Sequence, residues 1–101
     1  MKLSEIIYLK GHSVFSFPYK IHYIERGEKE ARTIISVPKK NFKRAVKRNL
    51  IRRRIKESLR LNRQNYPSLE AYHILIIYVA KEILDYESIK EGLKEAIGKI
   101  S

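Results

Sequence analysis

Hydrophobic residues recur along this chain with two different periods, and the changes of period divide it into elements. Ser4 to Lys10 predicts a short helix, with Ser4 as its cap and Gly11 as a left-handed residue just past its end. From Phe15 to Tyr23 the pattern alternates: Phe17, Tyr19, Ile21 and Tyr23 point one way, Pro18, Lys20 and His22 the other. That is a strand, with Pro18 near its start or on an edge because it has no amide proton to donate. Glu25 to Lys29 predicts a polar, hairpin-like connection around Gly27, and Arg32 to Val37 a second strand ended by Pro38.

Helical spacing returns from Ala45 to Leu61. Ile51, Ile55 and Leu59 fall on one side, while Asn49, Arg53, Lys56 and Arg60 form a polar stripe on another, flanked by Arg52. Asn62 to Ser68 predicts a loop. Ala71 to Ala80 is apolar enough for a central strand buried on both faces. Asp85 then caps a last helix with Tyr86, Ile89, Leu93, Ile97 and Ile100 along one stripe. The expected order is α-β-β-α-β-α, an α+β or split-βαβ domain with a small sheet packed by helices.

A length of 101 residues fits a single domain, residues 1–101. There are no cysteines, which excludes disulfides and thiolate metal sites. The first residues lack the apolar run of a signal peptide, and the run Ile74 to Ala80 is too short to cross a bilayer, so the expectation is a soluble cytoplasmic protein.

Charge changes the picture more. Lys39 to Arg63 holds twelve of the 22 Lys and Arg residues against one acid, Glu57, and so accounts for the whole formal net charge of +11. A solvated helical face usually mixes both signs; one that does not directs a positive field at a polyanion. Arg48, Arg52, Arg53, Lys56 and Arg60 on one helix suit a phosphate backbone, and arginine's planar fork fits phosphate oxygens and base stacking. Asn49 adds donor and acceptor contacts for a base edge or a 2′-hydroxyl. Lys39, Lys40, Lys43, Arg44 and Lys47 extend the candidate RNA-binding surface.

Within this segment the residues become specific. Pro38-Lys39-Lys40, followed by Ala45-Val46-Lys47-Arg48-Asn49-Leu50-Ile51-Arg52-Arg53-Arg54-Ile55-Lys56-Glu57, resembles the signature of the bacterial ribonuclease P protein family. Lys10-Gly11-His12-Ser13 upstream and Leu84-Asp85-Tyr86-Glu87 downstream extend the resemblance to nearly the whole chain. It departs from the family in four places: Leu50 stands for a usual arginine, Arg54 for a common apolar residue, Ser4 for one of two aromatics in the first helix, and Tyr78 for a frequent basic residue.

The resemblance implies a fold like the second domain of ribosomal protein S5, with a left-handed βαβ crossover through the signature helix. It further implies that this helix contacts a catalytic RNA and that a cleft between a helix and the sheet receives the 5′ leader of precursor tRNA. For that cleft the candidates are Tyr8, Tyr19, His22, Lys39 and Tyr78. The catalytic centre and its Mg²⁺ requirement would belong to the RNA. No catalytic residue, protein-bound cofactor, metal ligand, membrane or protein partner is expected.

The residues themselves leave alternatives open. Aromatics in strands are often core, the reading favoured for Tyr23, Tyr72 and Tyr86; Tyr8, Tyr19 and His22 could be core or stacking platforms. Which face of the first strand opens onto the cleft does not follow from the sequence. His12, His22 and His73 lack metal-ligand spacing, and Asp85 is better explained as a cap than as a general base. Other readings of the basic helix are a ribosomal-type RNA-binding module, a regulator reading the DNA major groove and, most distantly, a membrane-surface helix.

Overall fold

The structure, a computed structural model, describes residues 1–100. Helix α1 (Leu3–Lys10) leads into β1 (His12–Ser16), β2 (Tyr19–Glu25) and β3 (Thr33–Ser36). The basic helix α2 (Ala45–Asn62) follows, then a 3-10 turn (Arg63–Asn65), the single-turn α3 (Ser68–Ala71), β4 (Tyr72–Tyr78) and α4 (Tyr86–Gly98). The four strands form one sheet in the order β1-β2-β4-β3. The first two pairings are antiparallel, while β3 and β4 run parallel with α2 in the connection between them.

The α+β architecture and the central place of the apolar strand are as expected. The region expected to be one strand, Phe15 to Tyr23, is instead a hairpin. Ser16 pairs with Tyr19, so the chain reverses at Phe17-Pro18, a cis peptide bond. Pro18 sits in that turn, where its missing donor breaks no ladder bond. Gly27 does adopt positive φ, +65°, but the connection around it is no hairpin, because β4 lies between β2 and β3.

The cap assignments at the first helix also change. Lys2 occupies the N-cap position with no side-chain bond, so Ser4 lies inside the helix. Gly11 is extended (φ −82°, ψ 168°) rather than left-handed. A Cβ there would fall 2.5 Å from the Ile7 carbonyl oxygen and 2.6 Å from that of Tyr23. Glycine is required because two backbones meet. At the last helix Asp85 caps as expected, accepting from the Ser88 amide at 2.8 Å.

The two faces of the sheet have different partners. Tyr19, Ile21 and Tyr23 of β2, with Ile74, Ile76 and Tyr78 of β4, join Ile51, Ile55 and Leu59 of α2 and Ile89, Leu93 and Ile97 of α4 in the main core. Lys20 and His22 of β2, with Leu75 and Ile77 of β4, occupy the opposite face, because side chains alternate along a strand. There α1 packs against β2 and β4.

Candidate nucleic-acid interface

Helix α2 is held to the core by its apolar stripe, and this settles where its charges go. With Ile51, Ile55, Ser58 and Leu59 buried, Lys47, Asn49, Arg53, Lys56 and Arg60 are left exposed. The turns before it add the exposed side chains of Lys39, Lys40, Lys43 and Arg44. No acid stands in the first turn of α2 and no side chain caps it. The helix therefore begins with its positive dipole end beside Arg44, Lys47 and Arg48, an arrangement that costs folding stability and suits an anionic partner.

Not every arginine of the segment is free. Arg48 donates to the carbonyls of Phe42 at 2.8 Å and Lys43 at 2.9 Å, pinning the basic turn to the start of the helix. Arg52 donates to Asn49 Oδ1 at 2.9 Å. Arg60 pairs with Glu57 at 2.6 Å in the open, which holds that carboxyl below its ordinary pKa. Arg54 donates to the Leu84 carbonyl at 2.8 Å and ties α2 to the start of α4.

Beside the helix a cleft of about 580 Å³ opens between α1 and the sheet. Tyr8, Leu9, Ser4 and Glu5 form its α1 wall, Leu75, Ile77 and residues 34–37 its floor, and Arg52 its edge toward α2. It therefore lies on the Lys20 and His22 side of β2. Tyr8 is 53 % exposed, with its ring 4.8 Å from that of His22. His22 is itself buried, and its Nε2 has no hydrogen-bond partner among the described residues. Burial, assisted by Lys20, lowers its pKa and favours the neutral imidazole.

Two expected cleft residues are elsewhere. Tyr19 and Tyr78 are fully buried on the opposite face of the sheet, their rings 6.0 Å apart and edge-on. The Tyr19 hydroxyl donates to the Ile89 carbonyl at 3.0 Å. That of Tyr78 donates to the Glu82 carbonyl at 2.8 Å and accepts from the Leu84 amide at 3.2 Å. Burial raises both pKa values, so each stays a neutral donor. Neither can stack on a nucleotide. Lys39 is on the exposed turn beyond the cleft floor rather than in its lining.

The cleft floor itself went unread in the sequence. The apolar run of β4 implied burial on both faces, yet Ile77 is only partly covered. A larger hollow of about 870 Å³ lies between residues 62–68 and the second half of α4, and contains none of the expected site residues. Among the described residues no three His, Asp or Glu side chains gather to hold a metal ion, and no helix is long and apolar enough to cross a membrane.

Known proteins share this chain's sequence pattern and fold. A ribonuclease P family model matches residues 4–101. The ribonuclease P protein component of Coxiella burnetii is 29 % identical over 93 % of this chain and 73 % of its own length. That of Porphyromonas gingivalis is 27 % identical over 94 % and 75 %. The solved ribonuclease P protein of Staphylococcus aureus superposes with a TM-score of 0.79 at 30 % identity, covering 99 % of this chain and 94 % of that one. The Thermotoga maritima protein reaches 0.86 at 23 % identity, over 99 % and 93 %, and bears on the fold alone. With residues 4–101 matched by the family model, the chain belongs to the ribonuclease P protein family.

Proposed function

We propose that this protein is the RNA-binding subunit of a ribonuclease P, and that it helps a catalytic RNA remove the 5′ leader from precursor tRNA by holding both molecules. The observation that carries this reading is that Arg52 belongs to both surfaces: it stands on the basic helix and at the edge of the cleft. One RNA can lie along the exposed charges of α2 while an unpaired strand enters the cleft beside it. A single strand can lay a base against Tyr8 and the Leu75–Ile77 floor while Arg52 meets its phosphates.

Hydrolysis, in this reading, belongs to the RNA and its Mg²⁺ ions. The protein's part is electrostatic and positional: it adds cations that lower the Mg²⁺ needed for the two RNAs to approach, and it favours precursor over mature tRNA. The test is reconstitution with a ribonuclease P RNA at low Mg²⁺, scored by 5′ maturation of a precursor tRNA. Stimulation by the full complex is expected, with none from protein freed of RNA. A ribosomal-type binder or a DNA regulator would fail to stimulate, and specific cleavage by protein alone would transfer the chemistry to this chain.

A further inference from the structure

The loop between β4 and α4 brings a cation to the basic segment from far along the sequence. Lys81 in this loop is exposed and lines a hollow of about 460 Å³ together with Lys43, Arg44 and Lys47 at the start of α2. On its other side Lys81 borders a shallower depression shared with Lys40. Glu82 is the one acid among the described residues that line the two. Like charges gathered so closely repel, and a free loop would carry Lys81 away from the others. This loop is not free. Tyr78, fully buried at its base, donates its hydroxyl to the Glu82 carbonyl at 2.8 Å and accepts from the Leu84 amide at 3.2 Å, just past Lys81. Just before Lys81, Ala80 is buried and the Val79 amide bonds the Pro18 carbonyl at 2.8 Å. The Tyr78 ring also lies 6.1 Å from that of Phe42, in the basic turn that Arg48 pins. One buried tyrosine therefore meets both walls of the hollow, the basic turn through its ring and the Lys81 loop through its hydroxyl.

Resting on the function proposed above, we infer that Lys81 is a further RNA-binding residue, which meets a phosphate of the catalytic RNA beside the start of α2, and that Tyr78 is the positioning residue that holds it there. The ligand group is phosphate because four cations against one acid line the hollow, and its one aromatic, Phe42, is buried and offers no ring to a base. The RNA is the catalytic one because the hollow adjoins the exposed charges of α2, while none of its lining residues lines the cleft. A cation on a loop fixed from both sides loses less freedom on binding than one on a mobile loop. The repulsion that the folded chain tolerates among these side chains is relieved when an anion enters between them. Tyr78 itself touches no RNA: it acts through the loop backbone, from inside the core.

The experiment measures binding of the full chain to a ribonuclease P RNA over a range of NaCl concentrations. Wild type, Lys81→Ala, Tyr78→Phe, their double variant and Tyr19→Phe are compared at a temperature where thermal melts show each to be folded. Lys81→Ala is expected to flatten the log–log salt dependence by about 0.7–0.9, the share of one phosphate. Tyr78→Phe keeps the ring and removes no charge, yet it should flatten the slope as well, and it should add nothing in the double variant. Tyr19→Phe removes another buried hydroxyl from the same sheet face, one bonded to Ile89 rather than to the loop, and should lower the melt without moving the slope. An unchanged slope in Lys81→Ala would overturn the binding role. Flattening by Lys81→Ala without any by Tyr78→Phe, or equal flattening by Tyr19→Phe, would overturn the positioning role. If Lys81→Ala spares binding to the catalytic RNA but weakens holoenzyme affinity for precursor tRNA, the phosphate belongs to the substrate and the assignment falls. The Arg52→Ala, Arg53→Ala double variant separates this inference from the reading beneath it. Flattening by that pair alone would sink only the inference, whereas wild-type binding that ignores salt would sink both.

Discussion

Truncating Tyr19 would empty a space closed on every side and remove the bond its hydroxyl donates to the Ile89 carbonyl. Tyr19→Ala is expected to cost about 3–5 kcal/mol of stability, visible as a large drop in melting temperature. Tyr8→Ala removes a half-exposed ring and should leave the melt nearly unchanged. Its effect should appear in the ratio of precursor to mature tRNA affinity, reduced roughly fivefold, the lower end for one stack. The sequence could not separate these two tyrosines, since composition and period treat them alike and only the partner across the sheet distinguishes them. Beneath Tyr8, His22 gives a pH test. Its pKa is lowered on folding, so as pH falls below about 6.5 the unfolded chain takes up a proton before the folded one does. Stability should therefore decline from pH 7 to pH 5, and His22→Leu should flatten that decline in thermal melts. An unchanged slope would mean that His22 titrates freely in the folded protein.

At the scale of elements, α2 and α4 were legible because each has a single long period facing one core, and β4 because its unbroken apolar run suits a strand covered on both faces. The hairpin at Phe17-Pro18 was not. Its turn residues continue the apolar alternation, so the period carries the reading straight through a reversal. The sheet order was equally hidden, since no local pattern shows that β4 inserts between β2 and β3. The close approach of α1 to β2 is similarly non-local, and it makes Gly11→Ala a sharper test than its ordinary dihedrals suggest. With backbone oxygens at 2.5 and 2.6 Å from the new Cβ, overpacking should cost about 2–3 kcal/mol. For α2 the expectation is electrostatic. Replacing Arg52 and Arg53 by alanine should reduce RNA affinity and flatten its dependence on salt by about 0.7–0.9 in log–log slope for each phosphate no longer neutralised. Lys90→Ala with Lys94→Ala, on α4, should do much less; equal effects would mean that the helix has no special place in binding.

For the whole molecule, the same charges act with opposite sign on folding and on binding. Twelve bases and one acid between Lys39 and Arg63 repel one another in the free protein, and several crowd the uncapped, positive end of α2. The Debye length falls from about 30 Å at 0.01 M salt to about 8 Å at 0.15 M, which screens that repulsion. Raising NaCl across this range should therefore raise the melting temperature of the free protein, by about 4–8 °C for each kcal/mol of repulsion removed. Over the same range its affinity for RNA should fall, because the release of counterions on binding gains less as bulk salt rises. The Arg52→Ala, Arg53→Ala double variant should melt higher than wild type at low salt and respond less to added salt, while binding RNA more weakly throughout. RNA itself should stabilise the wild-type protein at low salt by binding only the folded chain. Melts of both proteins with and without RNA check all four expectations. A free-protein melting temperature that stays flat or falls with salt would show that the basic segment is not under electrostatic stress, and that its bare helix end carries no folding cost for RNA to relieve.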